Sequence, residues 1–397
     1  MKISPSGNRH FKISQEELLV DLYRAYKDAR KHKRGRKYQL EFEYNLEDRL
    51  VELRDELIAG KYTPLASTCF IIHEPKMREV FAADFRDRIV HHLFYNYTHL
   101  LFERTFIYDS YSCIKNRGTH FGINRLKHHI RSVSFGYSKP CYVLKIDIKG
   151  YFMSICRDVL FKICQRTLDK MRFRASGKTS VVWDDILDFD FIYYLLEIMI
   201  FTDPLKNCLM IGRKDDWNGL PAEKSLFGST PGYGLPIGNL SSQLFSNVYL
   251  NCLDQYIKRE LGCRHYGRYV DDAYIVADDC NYLISLIPKI ESFLSSELYL
   301  SLHPYKVRVY NAYHGVEFLG AYVKPFRTYI SSSSLRRIKK SIMECNKMSR
   351  EYMQASLNSS LGVLSHYNSF YLRRVLCGLS EKLIHRGSFS NDWLTFK

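Results

Sequence analysis

Three aspartates stand where the sequence reads as strand ends: Asp147 in YVLKIDI (142–148), and the adjacent Asp271 and Asp272 in HYGRYVDDAYIVAD (265–278). The first segment sets Val143, Ile146 and Ile148 in a compact apolar run, as a buried strand would. The second reads as two strands around a tight turn at Val270-Asp271. Such a turn presents Asp271 and Asp272 at the tip of a sheet, and a neighbouring strand ending at Asp147 brings a third carboxylate beside them. Three acids repel one another unless cations neutralise them, so the arrangement argues for metal. Magnesium prefers carboxylate and water oxygens. Two divalent ions held in this way suit phosphoryl transfer between nucleotides: one activates a primer 3′-hydroxyl, the other steadies a triphosphate and its leaving pyrophosphate. An isolated Asp-Asp pair is ordinary turn chemistry, and Asp184-Asp185 and Asp278-Asp279 occur in the same chain. What distinguishes Asp271-Asp272 is its frame, with Tyr269 before it and apolar strands on both sides.

The elements that must position these acids follow from periodicity. Residues 14–60 read as helical, with Leu18, Leu19, Leu22 and Tyr26 at helical spacing. Eight basic residues lie between Arg24 and Lys37, either a solvated helix end or a phosphate-contacting surface. STCFIIHE and MREVFAA flank a turn at Pro75-Lys76, which predicts a hairpin over 66–82, and a helix follows from Asp84 to Arg104. Helix-rich sequence runs to about 200, then a loop rich in Gly, Pro and Lys from 203 to 236. An amphipathic helix is expected over 239–260, another helix over 281–298, a hairpin over 306–324, and a basic, mostly helical tail from 331.

With 397 residues, 46% of them hydrophobic, the chain can bury a core in two or three subdomains. Charged residues make up 25%, which excludes a disordered chain. Fifty-eight Lys and Arg against 42 Asp and Glu leave a net charge of +16, which suits a polyanion, nucleic acid above all. No apolar run approaches the roughly 20 residues that span a bilayer, and no signal peptide is expected before the first helix. Thirty Tyr, 24 Phe and 3 Trp serve the core and offer stacking surfaces for bases. The 11 Cys are scattered without a CxxC pair, so reduced thiols in a cytoplasmic protein are expected.

The ordered motifs resemble those of reverse transcriptases. YVDD (269–272) is similar to their YxDD box, and KIDIKGYF (145–152) to their first catalytic-aspartate motif. LPIGNLSSQ (235–243), PKMREVFAADFRDRIVHH (75–92), SYSCIKNRGTH (110–120), HPYKVRV (303–309) and GVEFLGAYV (315–323), the last like a primer grip, fall in family order. The resemblance covers about residues 60–325. It implies an α+β right-hand polymerase fold: fingers, a palm with a small antiparallel sheet flanked by helices, and a helical thumb. The expected divisions are a basic helical extension over 1–60, fingers and palm over 61–325, and a thumb over 326–397.

Roles carried by that resemblance are expectations. Asp147, Asp271 and Asp272 would ligate two Mg2+ ions, with Mn2+ a possible substitute and the Ile148 carbonyl a helper. Phe152 takes the steric-gate place, where a ring would exclude a ribose 2′-hydroxyl; the alternative is a core Phe. Lys76 and Arg78 resemble the fingers residues that hold the triphosphate. Ile237, Gly238 and Gln243 lie in the block shaping the nucleotide pocket. Lys306 could protonate the leaving pyrophosphate, or be an ordinary surface lysine. The implied partners are template RNA, the RNA/DNA duplex and dNTPs.

Most of the family has Gln before the glycine of the 237–243 block and ends it with Ser-Pro. Here Ile237 precedes Gly238 and the block ends Ser242-Gln243, which resembles the reverse transcriptases of diversity-generating retroelements. FRDRIVHH and SYSCIKNRGTH resemble that group too. Its members copy a template RNA with frequent errors at adenines, and work with a small basic accessory protein. An apolar Ile beside the incoming nucleotide cannot make the hydrogen bonds of a Gln, so pocket shape must discriminate. About 70 residues follow the primer-grip block in this sequence, so a thumb is expected there and no RNase H, endonuclease or maturase region. The rivals are a retron or group II intron-like reverse transcriptase and a catalytically silent RNA-binding scaffold. The SQ ending speaks against the first and the intact acid trio against the second.

Overall fold

A computed structural model describes residues 11–31, 35–74, 76–177, 180–345, 348–378 and 387–396. Pro75, Lys33 and Arg34 of the segments named above lie outside them. In chain order the elements are α1 (Gln15–Arg30), α2 (Lys37–Glu43), α3 (Leu46–Ile58), β1 (Ser67–Ile72), β2 (Arg78–Ala82), α4 (Phe85–Glu103), α5 (Thr119–Val133) and β3 (Tyr142–Ile146). Then come α6 (Tyr151–Ser154), α7 (Arg157–Arg172), α8 (Phe189–Phe201), β4 (Cys208–Met210), α9 (Leu240–Gln255), β5 (Tyr266–Tyr269), β6 (Asp272–Ala277) and α10 (Cys280–Leu298). The chain continues through β7 (Arg308–Asn311), β8 (Val316–Phe318), β9 (Ala321–Lys324), β10 (Arg327–Ile330), α11 (Ser332–Glu344), α12 (Arg350–Ser365) and α13 (Phe370–Gly378). Helix and small, mostly antiparallel sheets are thus mixed, as the α+β class requires. None of the described helices is long and apolar enough to cross a membrane.

The chain divides into two compact units, each assembled from three segments. The first comprises 1–108, 148–260 and 290–302. Its helices start on local signals: Ser14 and Glu17 form a reciprocal capping box on α1, and the Asp84 carboxylate caps α4. Leu18, Leu22, Ala25, Tyr26 and Ala29 of α1 face inward at helical spacing, and α1 packs on α4. β1 and β2 pair antiparallel from Thr68↔Ala82 to Ile72↔Arg78. Helix α9 departs from the amphipathic expectation. It is buried on nearly every side, with Ser241, Ser242 and Ser246 buried beside Leu244, Phe245 and Val248, and small hydroxyl side chains let α4 approach closely. The 203–236 loop also holds more order than its composition suggests, because β4 adds to the edge of β1 in parallel, Ser67↔Cys208 to Cys69↔Met210.

The second unit comprises 109–147, 261–289 and 303–397. It holds a four-stranded antiparallel sheet in the order β5-β6-β3-β7 and a three-stranded one in the order β10-β9-β8. The expected single hairpin over 306–324 is therefore split: β7 pairs with β3, while β8 pairs with β9. The physical reason is the Asn311–Gly315 turn, which redirects the chain instead of folding β7 back onto β8; His314 and Gly315 donate to the carbonyls of Asn311 and Ala312. Ile123, Leu126 and Ile130 of α5, Val143 of β3, Tyr274 and Val276 of β6, and Phe318 and Val323 share one core. A second core joins Ile338 and Ile342 of α11 to Met353, Leu357 and Leu364 of α12.

Candidate active site

The carboxylates lie at one end of the four-stranded sheet. β3 and β6 pair with Ile146 opposite Ala273, so continuing the register by one residue sets Asp147 across from Asp272. β5 and β6 pair with Tyr269 opposite Asp272, leaving Val270 and Asp271 as a two-residue turn. Val270 has a φ of +56°. That is a costly conformation for a β-branched side chain, on the order of 1–3 kcal/mol, and it is held by Arg268. This arginine is only 1% exposed and donates from Nη1 to the Val270 carbonyl at 2.9 Å.

Two lysines answer the acids. Lys306 Nζ lies 2.9 Å from Asp147 Oδ2, and Lys145 Nζ lies 3.3 Å from Asp272 Oδ1. Burial pushes the Asp272 carboxyl up to about 6; Lys145 opposes this, while the charges of Asp271 and Asp147 add to it. The three acids therefore feel one another electrostatically. Among the described residues no three His, Cys, Asp or Glu side chains form a ready metal cage. The donor set itself is hard carboxylate oxygen, the kind Mg2+ takes, and it already draws cationic ammonium groups.

A buried polar network supports the turn from below. Tyr111 and Tyr274 share a hydrogen bond of 2.7 Å, Tyr111 donates to Asp109 Oδ1 at 3.1 Å, and His129 Nδ1 lies 3.1 Å from the Tyr274 hydroxyl. Arg125 Nε donates to Asp109 Oδ1 at 2.6 Å. Burial alone would raise the Asp109 carboxyl; the hydrogen bonds from His129 and Arg125 outweigh it and hold the group well below the usual carboxylate range. Gly267 on β5 is dictated by this network, since a Cβ there would sit 2.1 Å from the Tyr111 hydroxyl. The backbone of 109–111 also binds β5, Arg268 N donating to the Asp109 carbonyl and Tyr111 N to that of Arg268.

The residues expected around a nucleotide lie in the first unit. Arg78 opens β2, and Lys76 precedes it; both are exposed. Phe81 N donates to the Ile237 carbonyl at 2.8 Å, and Ala83 N to Asn239 Oδ1 at 3.1 Å. Gly238 has a φ of +128°, and a Cβ there would meet the Phe81 carbonyl at 2.8 Å, so only glycine allows this docking. Phe152 and Ile237 pack against the same cluster of Cys69, Phe81, Met153 and Leu226. Gln243 is exposed on α9, and Ile148 is buried, bridged to Leu302. The structure thus gathers Asp147, Asp271, Asp272 and Lys306 in one unit, and Phe152, Ile237, Gly238 and the Arg78 strand in the other.

Sequence reasoning missed Lys145, Arg268 and the Asp109–Tyr111–His129–Tyr274 network. The signal was present for two of them. Lys145 and Arg268 are charges inside otherwise apolar or aromatic strands, and Lys145 shares its strand face with Asp147 by the two-residue period.

Comparison with known proteins adds identity to this geometry. The chain is 26% identical over 207 residues to Protein YkfC of Escherichia coli (strain K12), covering 52% of this chain and 44% of that protein. It therefore spans less than half the length of the curated relative it matches. Solved structures similar to it include apo telomerase from Candida tropicalis, with a TM-score of 0.47, 12% identity and coverage of 94% of this chain and 80% of that one. Telomerase from Candida albicans in complex with a fragment of telomeric RNA gives a TM-score of 0.46 and 10% identity, covering 82% and 61%. The family model described as reverse transcriptase (RNA-dependent DNA polymerase) matches residues 73–323, more than half of the chain. The chain belongs to the reverse transcriptase family.

Proposed function

We propose that this protein is an RNA-directed DNA polymerase that extends a primer on a template RNA with dNTPs. The observation that carries the reading is the register placing Asp147 across from Asp272, at the tip of the hairpin that bears Asp271. Asp147, Asp271 and Asp272, with the Ile148 carbonyl, would hold Mg2+, or Mn2+ in its place. When bound, the metal supplies charge neutralisation at the attacking and leaving oxygens. The chain's own residues do the rest. Arg268 fixes the turn so that Asp271 and Asp272 keep their orientation. Lys306, beside Asp147, offers the proton that a departing pyrophosphate needs. Arg78 and Lys76 supply cationic contacts for the triphosphate, and Phe152 screens the sugar.

The finer reading is a reverse transcriptase of a diversity-generating retroelement, error-prone at template adenines. It rests on Ile237 before Gly238 and on the Ser242-Gln243 ending. A small basic accessory protein and a cytoplasmic setting belong to the same reading. Primer extension on an RNA template with Mg2+ tests the activity: Asp271→Asn should abolish it. Undiminished extension by that variant would overturn the proposal.

A further inference from the structure

Glu79 is the one fully buried carboxylate on the nucleotide-side strand β2, at 0% exposure, and neither the metal site nor the triphosphate contacts use it. The two-residue period turns it away from exposed Arg78. Its carboxyl accepts from Trp217 Nε1 at 2.8 Å and from Ser225 Oγ at 2.9 Å on one oxygen, and from Leu226 N at 2.6 Å on the other. All three donors belong to the long loop between β4 and α9, so a single side chain gathers that loop onto β2.

The same loop grips the turn that carries Phe152. Leu235 N donates to the Phe152 carbonyl at 2.8 Å, and Gly234 N to that of Ile155 at 2.9 Å. The Glu223 carbonyl lies so close to Gly150 that a Cβ there would meet it at 2.8 Å. Leu226 belongs to the cluster on which Trp217, Phe152 and Ile237 all pack. A path of direct contacts thus runs from Glu79 through Leu226 and the loop backbone to both sides of the expected nucleotide pocket.

We infer that Glu79 is a positioning residue for sugar selection: it anchors the 217–235 loop and thereby sets the place of the Phe152 ring. The inference rests on the polymerase reading and on the sugar-screening role of Phe152. Glutamine cannot substitute without loss. Whichever way its amide turns, its NH2 faces either the Leu226 N–H or the Trp217 indole N–H, leaving a buried donor without an acceptor.

The test compares full-length parent, Glu79→Gln, Trp217→Phe and Phe152→Ala in primer extension. The readout is the ratio of kcat/KM for a dNTP to that for the matching rNTP, which the fraction of folded enzyme does not alter. Amide exchange at Leu226 and Leu235 is followed in parallel. Trp217→Phe removes one donor and leaves a smaller aromatic ring on the cluster, so it remains informative should Glu79→Gln fold poorly. Both variants are expected to lower the ratio on the order of tenfold, the scale of one unmade buried hydrogen bond, with faster exchange at both amides. An unchanged ratio in both would overturn the inference. A ratio relaxed by Glu79→Gln but not by Phe152→Ala would instead retire Phe152 as the sugar screen and leave Glu79 acting through Ile237. Because the exchange measurement needs no polymerisation, unaltered protection at Leu226 and Leu235 in both variants would overturn the anchor even in an inactive parent.

Discussion

Lys306 stands against Asp147, Nζ to Oδ2 at 2.9 Å: the β3–β7 pairing ends with Lys145 opposite Arg308, His303 N donates to the Asp147 carbonyl, and the turn closed by Lys306 N on the His303 carbonyl brings the lysine side chain to the carboxylate. Asp147 is thus flanked by a carboxylate from β6 on one side and an ammonium on the other. The lysine side chain is about half exposed, so the pair adds little stability in water. In the proposed reaction the lysine is a cation held where charge would change.

Lys306→Ala is expected to lower kcat by about 100-fold, the lower end of what a positioned proton donor contributes. Lys306→Arg should restore only part of this, because a guanidinium keeps the positive charge but does not release its proton. Single-turnover extension measures both. Full rescue by Arg would leave the counter-ion role and remove proton donation.

Arg268→Met is expected to reduce turnover by about 100-fold with little change in KM for dNTP, since a small misplacement of a reacting group has that cost. The Val270 carbonyl loses its donor and the strained turn loosens under Asp271. Steady-state kinetics alongside thermal unfolding separates the effects: parental kcat in a folded variant would show that the turn holds without the arginine.

Ile237→Gln should lower misincorporation opposite template adenine by restoring a polar contact beside the nucleotide. Sequencing of cDNA made on an adenine-rich template reads the outcome directly. An unchanged error rate would acquit this residue of any part in fidelity.

Asp109→Asn should destabilise the fold by roughly 2 kcal/mol at pH 7, because it weakens the charge-assisted hydrogen bonds that the buried carboxylate accepts from partly exposed Arg125 and buried His129. The folded-state pKa of Asp109 is depressed, so its contribution is present above the unfolded value near 4 and is lost as pH falls through the folded value. The gap between parent and variant should therefore be constant from pH 7 to 5 and narrow below about 4. Thermal unfolding across that range checks the sign; a gap that persists in strong acid would contradict it.

Much of this was legible from residue order. The β1–β2 hairpin, α4 with its Asp84 cap, strand β3 and the β5–β6 hairpin each follow from local periodicity, capping or turn chemistry. The same approach misjudged α9, whose burial on nearly every side depends on what packs around it and not on its own pattern. It also joined β7 to β8, because strand periodicity says nothing about which strand a segment pairs with.

The sequence alone determined three acids in strand-end contexts, ordered with motifs of one family, and on these the proposed nucleotidyl transfer rests. Tertiary structure decided which cations stand against those acids, that Arg268 braces the turn from inside the core, and that Glu79 ties a long loop to β2. These are pairings between residues as far apart as Lys306 and Asp147 or Leu226 and Glu79. Strand register and loop docking bring such residues together, and both arise from the free energy of burying distant surfaces against each other, which no local window of sequence contains.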